Sequence, residues 1–201
     1  MLLVGLTGGI GAGKSTVSSI LARRGAVILD ADAFSREAVR SGTEGFRRVV
    51  ERFGKGVVGP DGELDRPKLA SIVFNDPPAL SDLEAIVHPE VRRMIAEGLT
   101  ANLDGDGVVV LVNPLLIEMG THRDCDVVVV VSVSPETQVA RSVARGMTED
   151  DVRARLAAQL PLEDRARQAD VLIDNEGSFE ELESQVDQLW RRLLARAAAT
   201  A

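Results

Sequence analysis

Gly8-Gly9-Ile10-Gly11-Ala12-Gly13-Lys14-Ser15-Thr16 is the stretch from which the fold is read. It satisfies the spacing G-x-x-x-x-G-K-S/T through Gly8, Gly13, Lys14 and Ser15. Leu2 to Thr7, just before it, reads as a short buried strand. Val17 to Arg24, just after it, reads as a helix with Val17, Ile20 and Leu21 on one face. Strand, glycine turn and helix start together make an anion trap. Backbone N–H groups converge there, and the positive end of the helix dipole adds to them. Glycines let the main chain wrap closely where a Cβ would obstruct it. Gly9, Ile10, Gly11, Ala12, Gly13, Lys14, Ser15 and Thr16 are therefore expected to cradle the phosphates of a nucleotide. Lys14 is placed to reach the β/γ-phosphates, and the Ser15 hydroxyl to ligate Mg²⁺. A chance glycine-rich turn is the plain alternative, and the matching flanks argue against it.

The 201 residues suit one domain, and 45% of them are hydrophobic, enough for a substantial core. Aromatics are 3% and tyrosine is absent, so stacking platforms for single-stranded nucleic acid are not expected. Twenty-three Lys and Arg stand against 31 Asp and Glu, a net charge of −8. Such a surface argues against nucleic acid or an anionic membrane as the main partner. Positive charge for an anionic substrate must then be local. Lys14, Lys55 and Lys68 are the only lysines, and a general arginine bias accounts for most other cations. Cys125 is alone, which rules out an internal disulfide, and His88 and His122 are too few for a Cys/His zinc cluster. No basic-then-apolar leader and no apolar run near the ~20 residues of a membrane span is visible. A cytoplasmic chain, a monomer or weak homo-oligomer with no membrane or nucleic-acid partner, is expected.

A second strand runs from Ala26 to Leu29 and ends on Asp30-Ala31-Asp32. Helices are expected over 33–40, 44–53, 65–74 and 79–87, with a turn-rich loop over 54–64 and punctuation at Asn75-Asp76-Pro77-Pro78. His88-Pro89 is expected to open a further helix to about Leu103. Asp104-Gly105-Asp106-Gly107 reads as a turn. Val108 to Val112 and Val127 to Val131 are unbroken apolar runs, as in parallel strands covered on both faces. Ser134-Pro135 caps a helix to about Arg145, and Thr148-Glu149-Asp150-Asp151 starts another to about Leu160. Pro161 interrupts, a short arginine-bearing helix follows, and Val171 to Ile173 is the last strand. Ser178-Phe179-Glu180-Glu181 opens a final helix expected to bury Phe179, Leu182, Val186, Leu189 and Leu193, with an alanine-rich end that frays.

Strand and helix alternate, so the fold class is α/β: a three-layer α/β/α fold of the P-loop NTPase kind, its parallel sheet carrying a helical acceptor-binding insertion and a lid. Ligands of such a sheet sit beyond the carboxyl ends of its strands.

Asp30 and Asp32 follow the second strand directly. One of them could orient an acceptor hydroxyl and take its proton. A pair of turn or cap residues is the equal alternative on spacing alone. Arg36, one turn after Asp32, could pair with it or bind a substrate phosphate. Arg141 and Arg145 share a helix face, and Arg153, Arg155, Arg165 and Arg167 follow. Arginines on a lid neutralise charge at phosphoryl transfer. The acidic residues among them allow a solvated face instead. His88 could bind substrate or serve a local hydrogen bond. Asn175 with Gly177 sits after the last strand, where nucleotide bases are held in many such kinases. The guanine signature N-K-x-D is missing, as is a strand ending in a lone metal-binding Asp.

These residues resemble one family, the dephospho-coenzyme A kinases, over nearly the whole chain. The likeness rests on Leu6 to Thr16, on Asp30-Ala31-Asp32 with Arg36, and on Phe53-Gly54 and Asp61-Gly62-Glu63-Leu64-Asp65-Arg66. It continues through Val73-Phe74, Leu83-Glu84-Ala85-Ile86-Val87-His88-Pro89 and Pro114-Leu115-Leu116-Ile117-Glu118. Arg141 with Arg145, Gln159, and Ile173-Asp174-Asn175 with Gly177 complete it. The resemblance implies transfer of the ATP γ-phosphate, with Mg²⁺, to the ribose 3′-hydroxyl of dephospho-CoA, the last step of coenzyme A synthesis. It makes Asp32 the acceptor-orienting base, with Lys14 and Arg141 also catalytic. It places Arg36, Arg66, His88, Pro114 and Leu115 on the acceptor side, and it implies one kinase domain with a nucleotide core over about 1–32 and 108–201, a helical acceptor region over about 33–103 and a lid over about 141–167. Val112 and Asn113 depart from the family, which often has an acidic and then a hydrophobic residue there. A kinase for another small acceptor, such as a nucleoside monophosphate, and a nucleotide-binding switch without turnover are the competing readings.

Overall fold

A computed structural model describes residues 1–74, 76–103 and 105–200 of the chain. Asn75 and Asp104, read above as part of the punctuation and of a turn, lie outside these residues. The chain divides into two compact units, Met1–Leu29 with Asn102–Ala201, and Asp30–Ala101.

The first unit is built on a sheet of β1 (Leu2–Gly8), β2 (Val27–Asp30), β3 (Val108–Val112), β4 (Val127–Ser132) and β5 (Val171–Asp174). The strand order is β2-β3-β1-β4-β5, and β1 pairs in parallel with β3 and with β4. Leu2, Val4, Leu6, Val108, Val110, Val129 and Val131 project to one face and join a single core. That core is completed by α1 (Lys14–Arg23) and α9 (Phe179–Thr200) through Val17, Ile20, Leu21, Leu182, Val186, Leu189 and Leu193. The intervening strand residues Val109, Leu111, Val128 and Val130 are buried too. Burial on both faces explains the absence of polar alternation in these strands. Close approach on the second face needs Gly5, where an added Cβ would lie 2.8 Å from Cys125 Sγ.

After β4 come α6 (Pro135–Val143), α7 (Glu149–Ala158) and α8 (Leu162–Ala166). Ser134 Oγ accepts from Thr137 N–H, and Thr148 Oγ1 from Asp151 N–H, so both expected caps form. The Ser178–Glu181 box closes reciprocally: Glu181 N–H donates to Ser178 Oγ and Ser178 N–H to Glu181 Oε2. Two expectations about α9 fail. Phe179 is 50% exposed rather than in the core. The alanine-rich end stays helical to Thr200, with Ala197 buried against the same core as Leu193.

The second unit is helical: α2 (Ala31–Glu37), α3 (Glu44–Phe53), α4 (Arg66–Val73) and α5 (Pro77–Thr100). Val39, Val49, Val57, Leu64, Leu69, Val73, Ala79 and Ile86 form its core. The expected restart at His88-Pro89 does not occur. Pro89 lies inside α5, which is one helix of 24 residues. Proline deprives Ala85 O of its usual partner. Ala79, Ile86 and Val91 are buried on either side of it, so packing carries the helix through the break.

Candidate active site

β1 ends at Gly8 and α1 begins at Lys14, so the glycine loop joins the central strand to a helix start. Gly11 has φ +71° and Gly13 φ +98°, left-handed conformations that favour glycine. Both are also hemmed in. A Cβ on Gly11 would lie 2.7 Å from Gln138 O, and one on Gly13 would collide with Asn175 Nδ2. The Lys14 ammonium donates to Gly8 O at 2.8 Å and Gly9 O at 3.0 Å. Ser15 is exposed in the first turn of α1. Thus a glycine loop with left-handed turns, a helix N-terminus and one ammonium adjoin, the parts that phosphate capture uses.

Residues from the carboxyl ends of other strands close around this loop. Asn175, just past β5 and buried, donates from Nδ2 to Ala12 O at 2.7 Å. Arg141 Nη2, on α6, donates to Asn175 O at 2.9 Å. Gly13, Thr16, Arg141, Arg145, Asn175, Gly177 and Phe179 line one cleft of about 400 Å³. Of the residues expected on the nucleotide side, Gly13, Thr16, Asn175 and Gly177 line this cleft, whereas Gly9, Ile10, Gly11, Ala12, Lys14 and Ser15 are not among its lining residues. Glu176 holds the start of α6, accepting from Ser134 N–H and Thr137 Oγ1. These bonds, with the Arg141 charge adding to them, keep its carboxyl below the ordinary range.

The other arginines of the segment divide. Arg153 pairs with Glu149 and Arg167 with Asp164, each one turn away and exposed, as on a solvated face. Arg165 is 3% exposed and bound to Glu118, so it is an interior residue. Periodicity could not reveal this, because α8 is only five residues long and packs against β4.

In the helical unit the Asp30/Asp32 pair also divides. Asp30 Oδ1 accepts from Asp32 N–H and Ala33 N–H, which makes Asp30 the cap of α2. Asp32 is exposed in the first turn, with Arg36 exposed one turn later. Arg66 Nη2 donates to Arg36 O at 3.3 Å. Arg66, His88, Ser35 and Glu84 edge an otherwise apolar cleft of about 340 Å³ walled by Val39, Leu69, Val73 and Leu83. Asp32 and Arg36 do not line it.

Pro114 and Leu115 follow β3 in the first unit. Pro114 O accepts from the buried Thr7 Oγ1, and Asn113 Oδ1 accepts from Leu115 N–H at 2.9 Å. Asn113 therefore makes the turn that leaves Leu115 exposed and Leu116 buried. Sequence reasoning missed Gln138 and the cleft position of Phe179. Gln138 sits one turn before Arg141 on α6, a spacing that could have marked it.

The sequence model described as dephospho-CoA kinase matches residues 2–181. The chain belongs to the dephospho-CoA kinase family. A dephospho-CoA kinase of Streptomyces avermitilis is 54% identical over 198 residues, covering 98% of this chain and 96% of that one. One from Geobacter sulfurreducens is 49% identical over 96% and 98% of the two chains. A crystal structure from Thermus thermophilus is 38% identical with a TM-score of 0.81, covering 96% of this chain and 97% of that one. Shikimate kinase from Acinetobacter baumannii, 16% identical with a TM-score of 0.53 over 98% and 94% of the two chains, shares the fold. Membership of the dephospho-CoA kinase family thus covers both units of the chain.

Among the described residues, no group of three or more His, Cys, Asp or Glu could hold a metal ion. A divalent cation of a triphosphate takes most of its ligands from phosphate and water. The exposed Ser15 hydroxyl at the helix start fits the single protein oxygen then needed. No helix among those described is long and apolar enough to cross a membrane.

Proposed function

We propose that this member of the dephospho-CoA kinase family binds ATP in the glycine loop and transfers its γ-phosphoryl group to the ribose 3′-hydroxyl of dephospho-CoA. The products are coenzyme A and ADP. The observation that carries the reading is the family match over residues 2–181, on a chain whose loop, Arg141 and Asn175 meet in one cleft. The Lys14 ammonium and the loop amides within residues 9–16 that are not already bonded inside the protein hold the phosphates; Ile10 N–H is engaged by Gln159, and those of Ala12 and Thr16 by Gly9 O and Gly13 O. Asn175 and Gly177 border the nucleoside. Mg²⁺ bound at Ser15 would screen the charge of the β- and γ-phosphates. Arg141 stabilises the equatorial oxygens of the transferring group, where charge is spread.

On the acceptor side, Asp32 receives the hydroxyl proton and fixes the direction of attack. Arg36, Arg66 and His88 are assigned to the dephospho-CoA phosphates and Pro114 and Leu115 to its organic portion. The apolar cleft edged by Arg66 and His88 suits a ligand that is anionic at one end and apolar at the other. Residues 141–167 act as the lid. The enzyme is placed in the cytoplasm as a monomer or weak homo-oligomer.

The test is ADP release with Mg-ATP and dephospho-CoA, AMP or water, with the phosphorylated position read by phosphorus NMR. Turnover with dephospho-CoA to the 3′-phosphate is expected. Turnover with AMP alone overturns the reading.

A further inference from the structure

Gln159, the residue after α7, accepts a 3.2 Å hydrogen bond on Oε1 from Ile10 N–H of the phosphate loop. Its neighbour Leu160 donates N–H to Glu118 Oε1 at 3.3 Å. The same oxygen is held by Arg165 Nη2 at 3.1 Å. Arg165 Nη1 flanks the loop itself, since a Cβ built on Gly9 would lie 3.3 Å from it. The Arg165 side chain is 4% exposed, and its Nε has no hydrogen-bond partner. Two chain segments far apart in sequence, one at Glu118 and one over residues 159–165, are therefore tied together beside the front half of the loop.

A guanidinium keeps its charge at any working pH. Burying it with one carboxylate and an unsatisfied donor is a poor way to gain stability, because apolar residues of similar volume often fold as well. The arrangement makes sense as a device for position. Resting on the reading of the loop as a triphosphate site, we propose that Arg165 is a positioning residue for ATP. Through Glu118 it pins Leu160. The pinned backbone holds the Gln159 amide against Ile10 N–H, and this sets the front half of the loop before nucleotide arrives. The same chain of contacts ties the loop to the C-terminal end of α7, so lid and loop share one anchor. Arg165 touches neither substrate in this scheme; it acts through Glu118 and Gln159.

The experiment compares wild type with Glu118→Leu/Arg165→Met, Gln159→Ala, their combination, and Arg165→Lys. It measures the ATP dissociation constant, KM for each substrate, kcat and the melting temperature. The double variant replaces the buried pair by apolar residues and is expected to melt within a few degrees of wild type. ATP binding should weaken about tenfold, with KM for dephospho-CoA unchanged. Gln159→Ala should match that loss, and the combined variant should add little to it, since the residues act in series. Arg165→Lys should recover part of the affinity. A folded double variant with wild-type ATP affinity overturns the proposal. Wild-type ATP affinity in Gln159→Ala overturns it even if the double variant does not fold. A wild-type protein that binds no ATP removes the reading of the loop as well.

Discussion

The Asn175 amide reaches across 163 residues of sequence to donate a 2.7 Å hydrogen bond to Ala12 O, in the middle of the phosphate loop. Both residues are buried, at 7% and 0% exposure. Removing the donor leaves a buried carbonyl unsatisfied, at a cost of about 1–3 kcal/mol. Asn175→Ala should therefore weaken ATP binding about tenfold by isothermal titration. Asn175→Asp should weaken it further, because it sets a carboxylate against a carbonyl beside the phosphates. Arg141 bonds to the main-chain oxygen of residue 175, so neither variant removes that contact.

Gly13 faces the same amide from the loop side. At φ +98°, an alanine is strained by about 1–3 kcal/mol, and its Cβ meets Asn175 Nδ2. Gly13→Ala should lower the melting temperature by several degrees and abolish measurable ATP binding. Gly62→Ala is the control. Gly62 has φ +81° but nothing within 4 Å of the added Cβ. It should cost stability and leave the ATP dissociation constant unchanged.

Asp30 and Asp32 should separate in kinetics as they do in geometry. Asp30 caps α2, so Asp30→Ala should cost about 1 kcal/mol of stability, seen as a shifted urea midpoint. Asp32→Asn should leave the midpoint nearly unchanged and lower kcat by about 10²-fold or more, with ATP affinity retained. Near-normal kcat in Asp32→Asn would remove the proton-accepting role.

Cys125 gives the stability a dependence on alkaline pH. Burial, and then the Asp124 and Asp126 carboxylates, push its thiol up to about 11 from an ordinary value of 9.0. The folded chain holds this proton to higher pH than the unfolded chain does. The contribution to stability is therefore present below about 9 and lost as the pH rises toward 11. The melting temperature should fall over that window, and less so in Cys125→Ser. At pH 8 the thiolate fraction should be about 100-fold below that of an unburied thiol, so iodoacetamide should alkylate Cys125 slowly.

The nucleotide-side elements were legible because their signals are local. Glycine spacing, capping serines and unbroken valine runs each describe a few adjacent residues, and the strands and caps appear where those runs predict. What was not legible depends on packing. Pro89 reads as a helix boundary, yet burial on both sides of it keeps α5 whole. Phe179 falls on the buried stripe of α9, but periodicity says which face is apolar and not how far along the helix the core extends. Asp30 and Asp32 have the same chemistry, and only backbone geometry shows which one is spent as a cap. The contact between Glu118 and Arg165 spans 47 residues and involves no periodic element, so nothing near either position announces it.

β1 has a hydrogen-bonded strand on each flank and apolar layers above and below, and the phosphate loop grows directly from its carboxyl end. The cradle is thus suspended from the central strand of the sheet, whose amide hydrogens should be among the slowest to exchange. Affinity for nucleotide should survive warming almost until the whole unit melts, and then vanish in the same transition.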